Sequence, residues 1–291
     1  MTSYLYKSIA DIVATSEKEN IPFWEVVERA ESEKTERPIE EICKIIKGRL
    51  DIFRQSVREG LADTTSTASG MSGGQGHLLK EKKGVLLSDL SYRAMVNAIA
   101  VSEANAKMFR VVACPTAGSC GILPGCFTAL EEMQHSSEED LINGLLAAAG
   151  VGNVITNNAT VAGAVGGCQA ECGAASAMAA AGIVTILGGT AKEVANAAAL
   201  AMKNVLGLVC DPVAGLVEVP CVKRNGFHAV HSLTAAEMSL QGLISAIPVD
   251  EVIQVMWEVG IAMPCSLRET SQGGLATSPT GLAIAKRVEN L

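Results

Sequence analysis

At 291 residues the chain is long enough for one large core, or for a domain with a small appendage. Its formal net charge of −8 excludes a phosphate-backbone binder, which would carry a clustered excess of Lys and Arg, so nucleic acid is not a primary partner. Hydrophobic residues make up 48% but aromatics only 3%, so the apolar content is mostly Ala, Val, Ile, Leu and Met. That composition predicts a mainly α protein, a large helical domain of close-packed Ala/Gly-rich helices that are buried on all sides.

Residues 1–60 predict an N-terminal region of charged, amphipathic helices. In its last segment Ile39, Ile42, Ile46, Leu50 and Phe53 recur at helical spacing between charges. Lys7 and Asp11 interrupt any apolar run at the start, which argues against a secretory signal and for a cytoplasmic protein. In that reducing compartment nine cysteines are thiols or metal ligands rather than disulfides.

The larger region, 61–291, opens on DTTSTASGMSGGQG (63–76), a Ser/Thr/Gly stretch without a period. It reads either as a flexible linker or as a backbone nest in which Ser69, Gly70 and Ser72 receive an anion. A helix follows, then a short extended run, FRVVAC (109–114), leading into PTAGSCGILPG, where Pro and Gly break any regular element at its start. Helical stretches come next at 126–134 and 138–151, with an Asn-rich break expected in VGNVITNNAT (151–160).

The uncharged run 173–191 approaches the length of a membrane span. Its Ala and Gly content and its lack of flanking Trp or Tyr predict a buried core helix instead, with no membrane as partner. Thr190 and Glu193 form a capping-box pattern ahead of the next helix. The segment LVCDPVAGLVEVPCVKRNG (208–226) reads as loop, followed by two helices and a polar tail from Cys265.

Local context sorts the cysteines. Cys43 and Cys126 fall at helical apolar positions and read as core thiols. Cys114, Cys120, Cys168, Cys210, Cys221 and Cys265 sit beside Gly or Pro, where a side chain can be aimed at a ligand, and Cys172 follows Cys168 by one helical turn. No CxxC occurs, so zinc-finger, thioredoxin-like and compact ferredoxin patterns are unsupported, and spacing alone leaves the metal question open. Of the four histidines, His228 and His231 share a helix three residues apart and read as surface or satisfied imidazoles.

Four ordered blocks carry a resemblance: CPTAGSCGILPG (114–125), NNATVAGAVGGCQAECGAASAMAAAG (157–182), GLVCDPVAGLVEVPCVKRN (207–225) and RETSQGGLA (268–276). Together they resemble the alpha chains of the bacterial iron–sulfur L-serine dehydratases, over about residues 60 to 276. The resemblance implies a [4Fe-4S] cluster held by Cys168, Cys210 and Cys221 within a helical catalytic domain. Three thiolates leave one iron open as a Lewis acid for the serine hydroxyl. Elimination would give an enamine, whose imine tautomer is hydrolysed to pyruvate and ammonia.

The same resemblance implies a separate beta subunit, hence a hetero-oligomer, because relatives carry an α/β portion that nothing here resembles. Some single-chain relatives end in a cysteine that can occupy the open iron. This sequence ends KRVENL, so inhibition by such a tail is not expected.

Around that centre Arg268 is a candidate for pairing with the substrate carboxylate, or else for a salt bridge to Glu269. Ser69, Thr116, Ser119 and Asn158 are candidate pocket contacts, and the general base is unassigned, with His77 and Lys80 only near in sequence. Two other readings remain at this point: an open-cluster hydro-lyase acting on a hydroxy acid without an amine, and a non-catalytic, redox-responsive cluster-binding protein.

Overall fold

Five of the helices begin at a side-chain cap that the sequence supplies. In this computed structural model, which describes residues 3–291, Ser8 and Asp11 form a reciprocal capping box at the start of α1 (Ile9–Glu19), Ser137 and Asp140 one ahead of the helix at Glu138–Asn158, and Thr190 with Glu193 the expected one ahead of the helix at Ala191–Lys203. Pro22 and Pro38 precede α2 (Phe23–Thr35) and α3 (Ile39–Ala62). The chain continues through α4 (Gln75–Lys80), α5 (Asp89–Ala106), α6 (Ile122–Gln134), α7 (Glu138–Asn158), α8 (Gly163–Gly166), a π-helical turn (Gln169–Gly173) and α9 (Ala174–Ile186). It ends with α10 (Ala191–Lys203), α11 (Cys221–Leu240), α12 (Val249–Ala262) and α13 (Pro279–Val288). Among the described residues there are thirteen α-helices and no strand beyond one isolated bridge, so the mainly α expectation holds.

α9 is the axis of the molecule. All of its residues except Thr185 are buried, and α6, α7, α10 and α11 pack around it. Small residues permit this: a Cβ on Gly182 would lie 2.5 Å from the Phe127 ring and 2.9 Å from the Gly144 carbonyl oxygen of α7. The same apolar core extends to Ile9, Ile12, Phe23, Leu50 and Phe53 of α1–α3. No helix among the described residues is long and apolar enough to cross a membrane.

The structure moves three expected boundaries. The Asn-rich break is absent: α7 runs on to Asn158 because Val151, Val154 and Ile155 continue its buried face while Asn153, Asn157 and Asn158 face outward. The loop expected over 208–226 ends earlier, since α11 starts at Cys221. Its Gly226 fits against α5, where a Cβ would meet Ile99 at 3.0 Å. The polar tail contains α13, started by Ser278 as cap and Pro279 in the first turn. The extended run at 109–114 forms no strand.

Candidate active site

Three chain segments meet beside the start of α11. Cys168 follows Gly167, whose φ of +74° and close approach to Met263 and the Leu208 carbonyl leave no room for a side chain. Cys210 lies in the loop before α11, where its N–H donates to the Leu267 carbonyl at 2.9 Å and its own carbonyl accepts from the Glu269 N–H at 2.7 Å. Cys221 is the first residue of α11. All three are buried.

The sulfurs share one electrostatic environment. Burial, reinforced by the charge of Cys168, pushes the Cys221 thiol up to about 12 and raises the Cys210 thiol as well. Cys168 goes the other way: its sulfur is 3.4 Å from that of Cys172, and this hydrogen bond, aided by Arg224, holds it below its ordinary value while Cys172 is raised. No three donors among the described residues converge tightly enough to hold a single metal ion. A four-iron cluster is wider than an ion and takes thiolates set apart, and three buried cysteines with no sulfur–sulfur hydrogen bond among them in the described residues suit that donor set.

Glu171 is a buried acid beside these cysteines. It accepts from the Thr116 hydroxyl at 2.7 Å and from the Cys210 thiol at 3.7 Å, and burial raises its pKa, with the negative charge of Glu269 adding to the shift. Glycines make room for it. A Cβ on Gly163 would lie 2.6 Å from one Glu171 oxygen and 3.1 Å from a Glu269 oxygen, and one on Gly118 would lie 2.9 Å from the other Glu171 oxygen. Ser119 joins through its hydroxyl, 3.2 Å from that of Thr116. Arg268 bonds the Val165 carbonyl at 3.3 Å, has a buried Nε without a partner, and makes no ion pair with Glu269 among the described residues.

Thr116 and Ser119, through Glu171, and Arg268, whose neighbours Leu267 and Glu269 bond Cys210, therefore gather beside the cysteine-bearing segments, and two other candidates do not. The Asn158 amide, at the end of α7, donates to the Lys7 carbonyl at 2.9 Å. Ser69 donates to Glu218 at 2.8 Å. The 63–76 segment is indeed an anion nest, but its anions are the protein's own: Thr67, Ser69 and Ser72 surround the Glu218 carboxylate, and the N–H groups of Gly73, Gln75 and Gly76 hold that of Glu103. Lys80 lines a separate cavity of about 450 Å³ with Arg54, Arg58 and Glu132, and His77 bonds the Leu61 carbonyl at 3.0 Å.

Most of the remaining cysteines and histidines are held within the fold. Cys114, Cys120 and Cys126 are core thiols raised by burial, Cys43 donates to Glu28 at 3.0 Å, and Cys265 is exposed. His228 is buried against Ser176, and His231 bonds the Ala201 carbonyl at 2.7 Å.

Several organising residues escape local sequence reading. Asn225 accepts from the Gly121 N–H at 2.8 Å and donates to the carbonyls of Gly118 and Cys221, fastening the 117–121 turn to α11. Gln169 similarly joins Gly207 to the Met256 carbonyl of α12. Once α11 is known to start at Cys221, the spacing of Cys221, Arg224, Asn225 and His228 puts them on one helical face. For Glu171 a signal existed: it is the sole charged residue between Asp140 and Lys192.

The family model for the serine dehydratase alpha chain matches residues 18–276, which include all of these segments. The chain belongs to the serine dehydratase alpha-chain family. Among relatives of that family, it is 43% identical over 287 residues to a probable L-serine dehydratase alpha chain of Bacillus subtilis (98% of this chain, 95% of the relative). It is 40% identical over 279 residues to the L-serine dehydratase alpha chain of Peptoniphilus asaccharolyticus (95% and 96%). Against L-serine dehydratase TdcG of Escherichia coli it is 44% identical over 181 residues, 62% of this chain but only 40% of that protein.

Proposed function

We propose that this chain is the alpha subunit of an iron–sulfur L-serine dehydratase, an ammonia-lyase that converts L-serine to pyruvate and ammonia together with a separate beta chain. The carrying observation is the convergence of buried Cys168, Cys210 and Cys221 from three distant segments, all inside the family match. These three thiols would hold a [4Fe-4S] cluster. When bound, the cluster supplies Lewis acidity at an iron without a protein ligand, which makes hydroxide a tolerable leaving group.

The chain's own residues do the rest. Arg268, a half-buried guanidinium tied down only by the Val165 carbonyl among the described residues, suits the substrate carboxylate. The carboxylates of Glu171 and exposed Glu269 supply the negative charge that suits an α-ammonium group. That pairing of charges favours an amino acid over a hydroxy acid without an amine. The need for a beta chain is supported by the alpha-chain designation of the relatives matched along nearly their whole length and by the longer Escherichia coli relative, of which this chain matches only a part.

The test is iron and sulfide analysis with a pyruvate assay on anaerobically purified protein, with and without the beta chain. Brown protein that bleaches in air and releases pyruvate from serine is expected, and Cys168→Ser, Cys210→Ser and Cys221→Ser should each lose the cluster. Full iron content and activity in any one of these variants would overturn that ligand assignment, and fumarate or aconitate chemistry in place of pyruvate would overturn the substrate.

A further inference from the structure

One guanidinium joins two of the segments that bring cysteines to the site. Arg224 lies one turn along α11 from Cys221. Its Nη1 donates to the Val209 carbonyl at 2.9 Å and its Nη2 to Asp211 Oδ1 at 3.0 Å, so it grips the residues on both sides of Cys210. Asp211 in turn accepts the Leu275 N–H at 2.8 Å, and Gly274, at φ +60°, lies so close that a Cβ would be 2.5 Å from its carboxylate. The segment bearing Arg268 and Glu269 is thereby tied to the same guanidinium. The third segment joins the same loop next door, where the Gln169 N–H, one residue after Cys168, donates to the Leu208 carbonyl at 3.0 Å.

The charge balance points the same way. Glu171, Glu269 and Asp211 are all acidic and close to the cysteines, and three thiolates would add further negative charge where the dielectric is low. Arg224, its side chain only 17% exposed, faces that charge from inside the protein. Outer residues of this kind orient ligands, and net charge near a cluster tunes its potential.

We propose that Arg224 is the positioning residue of the cysteine site, clamping its segments together and supplying the counter-charge for the bound cluster. This rests on the reading of Cys168, Cys210 and Cys221 as cluster ligands. A lysine there would keep the charge but cannot span both the Val209 carbonyl and Asp211 with a planar fork. Clamp and counter-charge are therefore separable.

The experiment compares wild type, Arg224→Lys and Arg224→Gln, each purified anaerobically with the beta chain, by iron content, cluster reduction potential and rate of iron loss to a chelator, with circular dichroism to follow folding. Arg224→Gln should shift the potential to more negative values, because an added electron loses a neighbouring positive charge, and should lose iron on the order of tenfold faster. Arg224→Lys should keep a potential near wild type yet lose iron severalfold faster. Wild-type potential and wild-type iron loss in both variants would overturn the proposal. If Arg224→Gln does not fold, Arg224→Lys decides: faster iron loss at unchanged potential supports the clamp, and an unchanged rate overturns it. Wild type without any cluster signal would overturn the underlying ligand reading, and the proposal with it, a result visible before any variant is made.

Discussion

The Ser69 hydroxyl donates to one oxygen of the Glu218 carboxylate at 2.8 Å, while Ser72 and Thr67 donate to the other at 2.6 and 2.7 Å. Glu218 stands three residues before Cys221, so this buried carboxylate fastens the hydroxyl-rich loop to the start of α11. Glu218→Ala leaves three hydroxyls without their acceptor and should cost about 3 kcal/mol or more, whereas Glu218→Gln keeps an acceptor oxygen and should cost about half as much. Denaturant titration of the purified chain measures both. Equal stability of Glu218→Ala and wild type would mean that the carboxylate does not hold this loop.

Glu171→Gln separates holding from chemistry. The amide oxygen can still accept from Thr116, so the local fold and iron content should persist. Removing the negative charge should lower kcat/KM for serine on the order of tenfold, or about 1.4 kcal/mol of transition-state stabilisation. Iron content falling in step with activity would instead assign Glu171 to the support of Cys210.

The helical architecture was legible because its signals are local. Capping boxes at Thr190 and an Ala/Gly run at 173–191 predict α9 and α10 without tertiary information. Boundaries failed where packing overrides composition: Asn153, Asn157 and Asn158 read as a break, yet the intervening Val154 and Ile155 keep α7 continuous because they are buried. At the site, spacing said little about the cysteines, and the family resemblance supplied their grouping. Arg224, Asn225 and Asp211 were illegible because their partners lie on other segments and their roles exist only once the loops fold. The composition of the Ser69 loop leaves linker and anion nest open, and no sequence rule reveals that Glu218, far along the chain, is the anion its hydroxyls hold.

His228 gives the stability a pH signature. It is buried against Ser176, with His231 and Arg224 as its charged or chargeable neighbours, and burial first, then these two, lower its pKa from 6.5 to about 4. Between those values the unfolded chain binds a proton that the folded chain does not, so stability rises with pH across the window and is lost as pH falls from about 6.5 towards 4. His228→Asn removes this proton. Denaturation free energies measured from pH 7 to pH 4 should therefore be shallower in the variant, by up to about 1.4 kcal/mol per pH unit. Parallel slopes would mean that the imidazole protonates freely in the fold.

Two glycines on α3 predict opposite outcomes for the same substitution. At Gly48 a Cβ meets nothing within 4 Å, so Gly48→Ala gains helix propensity and should stabilise the protein by about 0.5–1 kcal/mol. At Gly60 a Cβ would fall 2.2 Å from the Ala100 carbonyl oxygen and 2.6 Å from its carbon, both backbone atoms of α5 that no rotamer change can move. The propensity gain there is outweighed by forced separation of α3 from α5, and Gly60→Ala should destabilise by about 1–3 kcal/mol. Since α5 also carries Glu103, the carboxylate that holds Gly73, Gln75 and Gly76, the loop should loosen in Gly60→Ala and not in Gly48→Ala. Thermal melts of the two variants, with amide exchange at Gly73 and Gly76, decide it: stabilisation at both positions would show that α3 and α5 do not approach this closely.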